Sequence, residues 1–212
     1  MKNSVSFTSI IDSEKLISGV WDPFYYKHIK SANRLDKFVD INKTFSYKFP
    51  LKSFKYSPLE YKDIPKGDFL TYNLSPNNDS ASINKYHAVP ENTLLLGTMR
   101  AYLGNVIVTP KAEWLQERKM WYAVNSEFCE IIPNDNLKYF WLAFFKSPAF
   151  LNNIPTGTGG TRPRISVEHL NQIPILVPEL EERIKINSKI EKLAQTFWTE
   201  QNQLNDFIKT HF

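Results

Sequence analysis

Thr156-Gly157-Thr158-Gly159-Gly160-Thr161-Arg162-Pro163-Arg164 is the stretch whose residue types could most readily do chemistry. Its three glycines let backbone N–H groups approach an anion closely, and its two arginines add fixed positive charge. A nucleotide-binding loop would need Gly-Lys and then Ser or Thr after the glycines, where this chain has Arg162-Pro163. The glycine spacing also differs from the dinucleotide-binding fingerprint. A loop that cradles DNA phosphates, with an arginine able to reach a base edge, fits these residues better. A turn that binds nothing is the plainer alternative.

Catalytic patterns are missing. There is no Gly-x-Ser-x-Gly elbow, and no Asn or Asp followed by Pro-Pro and an aromatic, the amino-methyltransferase signature. Cys129 is the only cysteine and has no base partner nearby in sequence, which leaves no intrachain disulfide and no cysteine-based metal cluster. The four histidines, at 28, 87, 169 and 211, lack paired ligand spacing. Acidic residues are scattered without the grouping that a Mg²⁺-dependent nuclease needs. The expectation is a non-catalytic chain with no metal or cofactor of its own.

Charge points to a polyanionic partner without proving one. Net charge is +4, and the bases Lys27, Lys30, Arg34, Lys37, Lys43, Lys48, Lys52, Lys55, Lys62 and Lys66 are opposed only by Asp36, Asp40, Glu60 and Asp63. A solvated basic face would read the same way. Aromatics reach 14%, which suits a packed β-containing core and equally a surface that grips a large partner.

These groups need elements to hold them. Thr93 to Arg100 and Val106 to Val108 read as a hairpin around Gly104-Asn105, and Trp121 to Ile132 as a further strand pair. Asn136 to Phe150 reads as a helix with Leu137, Phe140, Trp141, Phe144 and Phe145 on one side. Ser166 is placed to cap a short helix to Leu170, ahead of a strand at Ile173 to Val177. The opening, Ser4 to Ile17, reads as a strand, a turn and a brief helix, and Asn73 to Asn84 as a polar loop. The apolar run Tyr139 to Phe145 is far too short to span a membrane, and the N-terminus has no signal-peptide pattern; the expected location is the cytoplasm.

After Pro178 the composition turns strongly helical, with no further Pro or Gly. Ile186, Ile190, Leu193, Phe197, Leu204 and Phe207 repeat at heptad spacing, with Glu200 interrupting the seam. Such a helix would reach about 45 Å, too long to lie wholly on a domain of this size, so it is expected to meet a partner helix. Packing on its own domain is the alternative.

The string TGTGGTRPRISVEHLNQIPILVPELEERIKINSKI, from Thr156 to Ile190, resembles the end of a target recognition domain in the specificity subunits of type I restriction–modification systems. Such domains close with a Gly/Thr-rich loop, a basic residue, Ile/Leu-Ser and an Ile-Pro-x-x-x-Pro strand, before a helix opening with Pro-Pro-Leu-Glu-Glu-Gln. This chain departs from that opening with Glu179 for the second Pro and Arg183 for Gln. Asp22-Pro23-Phe24-Tyr25-Tyr26, Ile64 to Asp68 and Leu96 to Gly104 are similar to earlier parts of the same domain, though less specifically.

The resemblance implies an α+β fold: a mixed β-sheet recognition domain over residues 1–178, then a coiled-coil helix over 179–212 for dimerisation, spacing and methyltransferase docking. It implies a subunit that reads one half of a bipartite site on double-stranded DNA. Its implied partners are DNA adenine methyltransferase subunits using S-adenosylmethionine, a restriction and motor subunit using ATP and Mg²⁺, and a second half-subunit, either a second copy of this chain, which a homodimer would give, or a different half-subunit. Arg100, Tyr102, Arg162 and Arg164 are the candidates to enter the major groove, with Thr158 and Gly160 cradling phosphate and Lys85, His87 and Lys119 in support. Two rival readings stay open. One is a protein-binding scaffold or inhibitor with the same fold, and the other an enzyme whose glycine-rich loop holds a small nucleotide.

A bidentate arginine–guanine contact contributes roughly 1–3 kcal/mol of discrimination. Arg162→Ala is therefore expected to weaken DNA binding or alter the recognised half-site, measured by titration against duplex DNA and by the methylation pattern. Unchanged affinity together with unchanged methylation would remove Arg162 from the reading surface.

Overall fold

Leucine- and valine-rich strings such as Leu94-Leu95-Leu96 and Val106-Ile107-Val108 are short, apolar and bounded by turn residues, as interior strands are. The computed structural model describes residues 33–50, 56–64, 85–115, 120–154 and 163–211. Its strands are β1 (Asn33–Arg34), β2 (Val39–Asn42), β3 (Tyr56–Leu59), β4 (His87–Pro90), β5 (Leu94–Gly97), β6 (Val106–Val108), β7 (Trp121–Val124), β8 (Phe128–Pro133) and β9 (Pro174–Ile175). Its helices are α1 (Lys138–Lys146), α2 (Pro148–Leu151), α3 (Val167–Asn171) and α4 (Leu180–His211). The expected openings before Asn33, the polar loop at 73–84 and the glycine-rich segment 156–162 lie outside the described residues.

Strands β2-β8-β5-β6 form a four-stranded antiparallel sheet, and β3-β7-β4 a three-stranded one in which β3 runs parallel to β7; β1 and β9 pair separately. This is the mixed α+β architecture expected. The hairpin of β5 and β6 is present, but its connection is a 3₁₀ turn over Ala101–Leu103 rather than a tight Gly104-Asn105 turn. The strands β7 and β8 do not pair with each other. Val124 sits in register with Leu59 and His87 in one sheet, while Phe128 sits opposite Gly97 in the other. The turn between β7 and β8 therefore carries the chain from sheet to sheet, and it defines one end of both.

The other end, about 20 Å away along β8, is where the helices begin. The expected helix over Asn136 to Phe150 is divided at Ser147, with Pro148 opening α2 at its first turn. Proline has no N–H to continue the α1 ladder, but at a first turn none is required. Trp141, Phe145 and Phe150 are fully buried, and α1 packs against β6 and β8. Ser166 caps α3 by accepting a hydrogen bond from the His169 N–H at 3.2 Å, as its position predicts. The strand expected over Ile173 to Val177 is only β9.

Asp135 and Asn187 join α4 to this end. The Asp135 carboxylate accepts from the Leu137 N–H and the Trp141 Nε1–H, both at 3.0 Å, and forms an ion pair with Arg183 on α4. Leu137 at the N-cap of α1 supplies no side-chain acceptor. Asn187 of α4 does so from outside, its Oδ1 accepting from the N–H groups of Tyr139 and Phe140 at 3.0 and 3.1 Å. Further along, Glu191 pairs with Lys111 at 2.9 Å, and Ala194 and Trp198 are buried.

The heptad seam is accordingly divided. Ile186, Ile190 and Phe197 pack against the chain's own core, contrary to the expectation that they await a partner helix, because the side of α4 that carries them flanks the docked face. Leu193, Leu204 and Phe207 remain more than half exposed, at 56%, 59% and 55%.

Two measurements check this packing. Removing one partner of a nearly buried ion pair leaves the other charged and unmatched, so Arg183→Ala is expected to lower stability by about 3 kcal/mol. It should shift the urea midpoint at unchanged slope; an unmoved midpoint would place the pair in open solvent. Cys129 is fully buried, and burial pushes its thiol up to about 12. At pH 8 the folded protein should resist aromatic disulfide reagents and react only once unfolded. Rapid labelling of the native state would contradict the packing around β8.

Candidate nucleic-acid interface

At the end of the sheets marked by the β7–β8 turn, one residue organises the backbone. The Glu127 carbonyl accepts from the Thr98 N–H at 2.8 Å, the Thr98 hydroxyl at 2.9 Å and the Tyr61 hydroxyl at 2.9 Å. Tyr61 Oη in turn accepts from the Met99 N–H at 3.2 Å. The Tyr61 ring stacks on Phe128, centroids 4.9 Å apart, and lies so close over Gly97 that a Cβ there would stand 2.2 Å from Tyr61 Cε1. Only glycine admits the ring. Burial raises the Tyr61 phenol well above its usual range, so it stays protonated and able to donate.

The residues just after the glycine-rich segment are stitched to this cluster. Arg100 N–H donates to the Pro163 carbonyl at 2.8 Å, Ile165 N–H to the Thr98 carbonyl at 3.1 Å, and Met99 and Arg164 form an antiparallel bridge. Arg100 itself has φ 49° and ψ 47°, a left-handed conformation that disfavours a side chain with a Cβ by about 1 kcal/mol. The 3₁₀ turn that follows buries Ala101 and leaves Tyr102 exposed, and Gly104 at φ 66° closes it. The Arg164 guanidinium grips the Glu127 carboxylate with two bonds, Nε to Oε2 at 3.1 Å and Nη2 to Oε1 at 2.6 Å. That hydrogen-bonded pairing holds Arg164 firmly in its charged form.

Lys85 and His87 reach the same end from the three-stranded sheet. His87 is exposed, stacks on Phe45 with centroids 5.4 Å apart, and stands in register with Val124 at the last position of β7. Between them Tyr86 Oη donates to Glu60 at 3.4 Å, next to the turn that carries Tyr61. Lys43, immediately after β2, is exposed and close enough to pull the Cys129 thiol downward against burial. Glu60 is matched by Lys62 at 2.9 Å and Glu127 by Arg164, so two of the acids here already have cationic partners.

The structure thus gathers Arg100, Tyr102, Arg164, Lys85 and His87 at one end of both sheets. Thr158, Gly160, Arg162 and Lys119 lie outside the described residues. Sequence reasoning missed Tyr61 and Glu127. Gly97 was the one available signal, since an isolated glycine closing an apolar strand marks a close approach by something large. Among the described residues no group of three or more His, Cys, Asp and Glu is placed to hold a metal ion. No helix among them is long and apolar enough to cross a membrane.

Comparison with known proteins follows the same line. No curated protein matches the chain. Among solved structures it resembles a chain from a study of complex assembly and conformational transition in the type I R-M system, with TM-score 0.44 and 16% identity over 81% of this chain and 40% of that one. It also resembles an HsdS subunit from Thermoanaerobacter tengcongensis, with TM-score 0.43 and 16% identity over 86% of this chain and 40% of that one. The chain spans 40% of the length of each. The family model for the type I restriction modification DNA specificity domain matches residues 34–210, and with five-sixths of the sequence inside that match, the chain belongs to this family.

Proposed function

We propose that this chain reads one half of a bipartite DNA site for a type I restriction–modification complex and is itself non-catalytic. The observation that carries this reading is the separation of roles along the sheets. Exposed cationic and aromatic groups converge at one end, and the long helix is docked at the other.

Lys43, Lys85 and the lysine-rich flanks would supply sequence-independent attraction to phosphate, falling steeply with salt. Arg100 is the candidate for a bidentate contact to a guanine edge, with Tyr102 beside it packing on a base or sugar. A left-handed, non-glycine backbone at Arg100 fits a position where strain is tolerated for function. Exposed Leu193, Leu204 and Phe207 on α4 offer a seam to a second copy of the chain, so that the helix pair would set the distance between half-sites. The chemistry would belong to partners: methyltransferase subunits carrying S-adenosylmethionine act on adenine, and a restriction and motor subunit uses ATP and Mg²⁺. The compartment is the cytoplasm, where such a complex meets DNA.

The test is modified-base sequencing of DNA from cells expressing the chain with its methyltransferase partner. A bipartite, palindromic methyl-adenine motif is the expected outcome and means that two identical copies pair through α4. An asymmetric motif would assign a different half-subunit as the partner. A stable methyltransferase complex with no methylated motif would overturn the proposal in favour of a scaffold or inhibitor. In the same assay Arg100→Ala should relax the motif at one base, a loss of roughly 1–3 kcal/mol in discrimination.

A further inference from the structure

Glu127 is not among the candidate DNA-contacting residues, yet more of that surface hangs on it than on any arginine. Its carbonyl fixes Thr98 and Tyr61, and so the strand end that runs into Met99 and Arg100. Its carboxylate holds Arg164, whose backbone is bridged to Met99 and whose neighbour Pro163 accepts from Arg100. One residue thus positions both segments, 98–100 through its backbone and 163–165 through its side chain.

We propose that Glu127 and Arg164 are positioning residues for DNA reading: the pair sets the register of the 163–165 segment against the Arg100 turn, and it keeps Arg164 off the DNA. This rests on the proposed function above. Three features of the pair carry it. The contact is bidentate, through Nε and Nη2 to the two carboxylate oxygens, which fixes the direction of the guanidinium as a single bond would not. Glu127 is the more sheltered partner, with 24% of its side chain exposed against 54% for Arg164, so the acid belongs to the scaffold and the base reaches out to it. Finally, an unmatched Arg164 at this end would add a mobile cation, which attracts any phosphate and so raises non-specific binding without adding discrimination.

Three variants in the complex with the methyltransferase decide it, each read by the methylated motif and by the salt dependence of binding to a duplex lacking the motif. Glu127→Gln keeps the shape and removes the charge; it should methylate a relaxed set of half-sites. Its non-specific binding should fall more steeply with salt, the slope changing by about 0.9 for the one phosphate gained. Arg164→Gln should relax the motif as well, with no steeper slope. The swap E127R/R164E rebuilds the pair with its polarity reversed and should return the wild-type motif. A Glu127→Gln complex that keeps the wild-type motif at full occupancy would overturn the proposal. So would a swap variant as relaxed as Arg164→Gln, because an arginine that touches DNA cannot be replaced by a carboxylate. Should either single variant fail to fold, the swap alone still decides between these outcomes. Absence of any motif with the wild-type chain would defeat the DNA-reading function itself, and the positioning role with it.

Discussion

A single carboxylate, that of Asp135, is the point on which the layout of this molecule turns. It stands where the four-stranded sheet ends and α1 begins, and three elements bind to it: the backbone of the turn, the indole of the fully buried Trp141 of α1, and Arg183 of the long helix. A nearly buried carboxylate with so many donors is stable only if all stay in place. The turn, the aromatic helix and α4 must therefore adopt their positions together. Asn187 repeats this logic one turn later by capping α1 from α4. The long helix is thus a structural part of the sheet domain over its first half, and only beyond Trp198 does it leave the core.

The consequence for function is geometric. The docked end and the cationic end are separated by the length of the strands, and β8 connects them without a break. A strand paired on both sides bends little, so the direction of α4 and the position of the Arg100 turn are tied to one rigid frame. If two such chains meet through the outer half of α4, the spacing of their cationic ends follows from packed secondary structure and not from a flexible linker. The proposed reading of one half-site needs that property, since an error in spacing would be as damaging as an error in base contacts.

The parts legible in sequence are those whose causes are local. Ser166 caps α3 because its partner is three residues away, and the composition after Pro178 is enough to give α4. The pairing of β5 with β6 follows from two apolar strings close together in sequence, although the 3₁₀ turn that joins them does not. Relations across the fold were hidden. Asp135 meets Arg183 from 48 residues away, Glu127 meets Arg164 from 37, and neither acid stands out from its neighbours in sequence. Heptad spacing had a subtler limit. It marks which side of a helix is apolar, and both the chain's own core and a second helix satisfy that demand; Ile186 and Ile190 took the first, while Leu193 and Leu204 have taken neither. Candidate arginines were visible by type, but whether a guanidinium is already held by an acid is decided only in three dimensions.

Arg100 shows how these constraints meet. Its left-handed backbone is unfavourable for arginine by about 1 kcal/mol, and Asn or Gly would occupy it more cheaply. The conformation persists because its surroundings over-determine it: the N–H is held by Pro163 and the carbonyl by the Leu103 N–H at 2.9 Å, while Tyr61 anchors the preceding amide. Those contacts trace back to the crowded approach of Tyr61 over Gly97 and to the Glu127 carbonyl between the two sheets. A turn that needed only to reverse direction would not require this many fixed points. The constraint is reasonable where a charged side chain must leave the surface in one direction, because a base edge is recognised by the angle of approach as much as by charge. Stability given up at one residue and restored by a half-buried tyrosine is what distinguishes this arginine from the lysines around it.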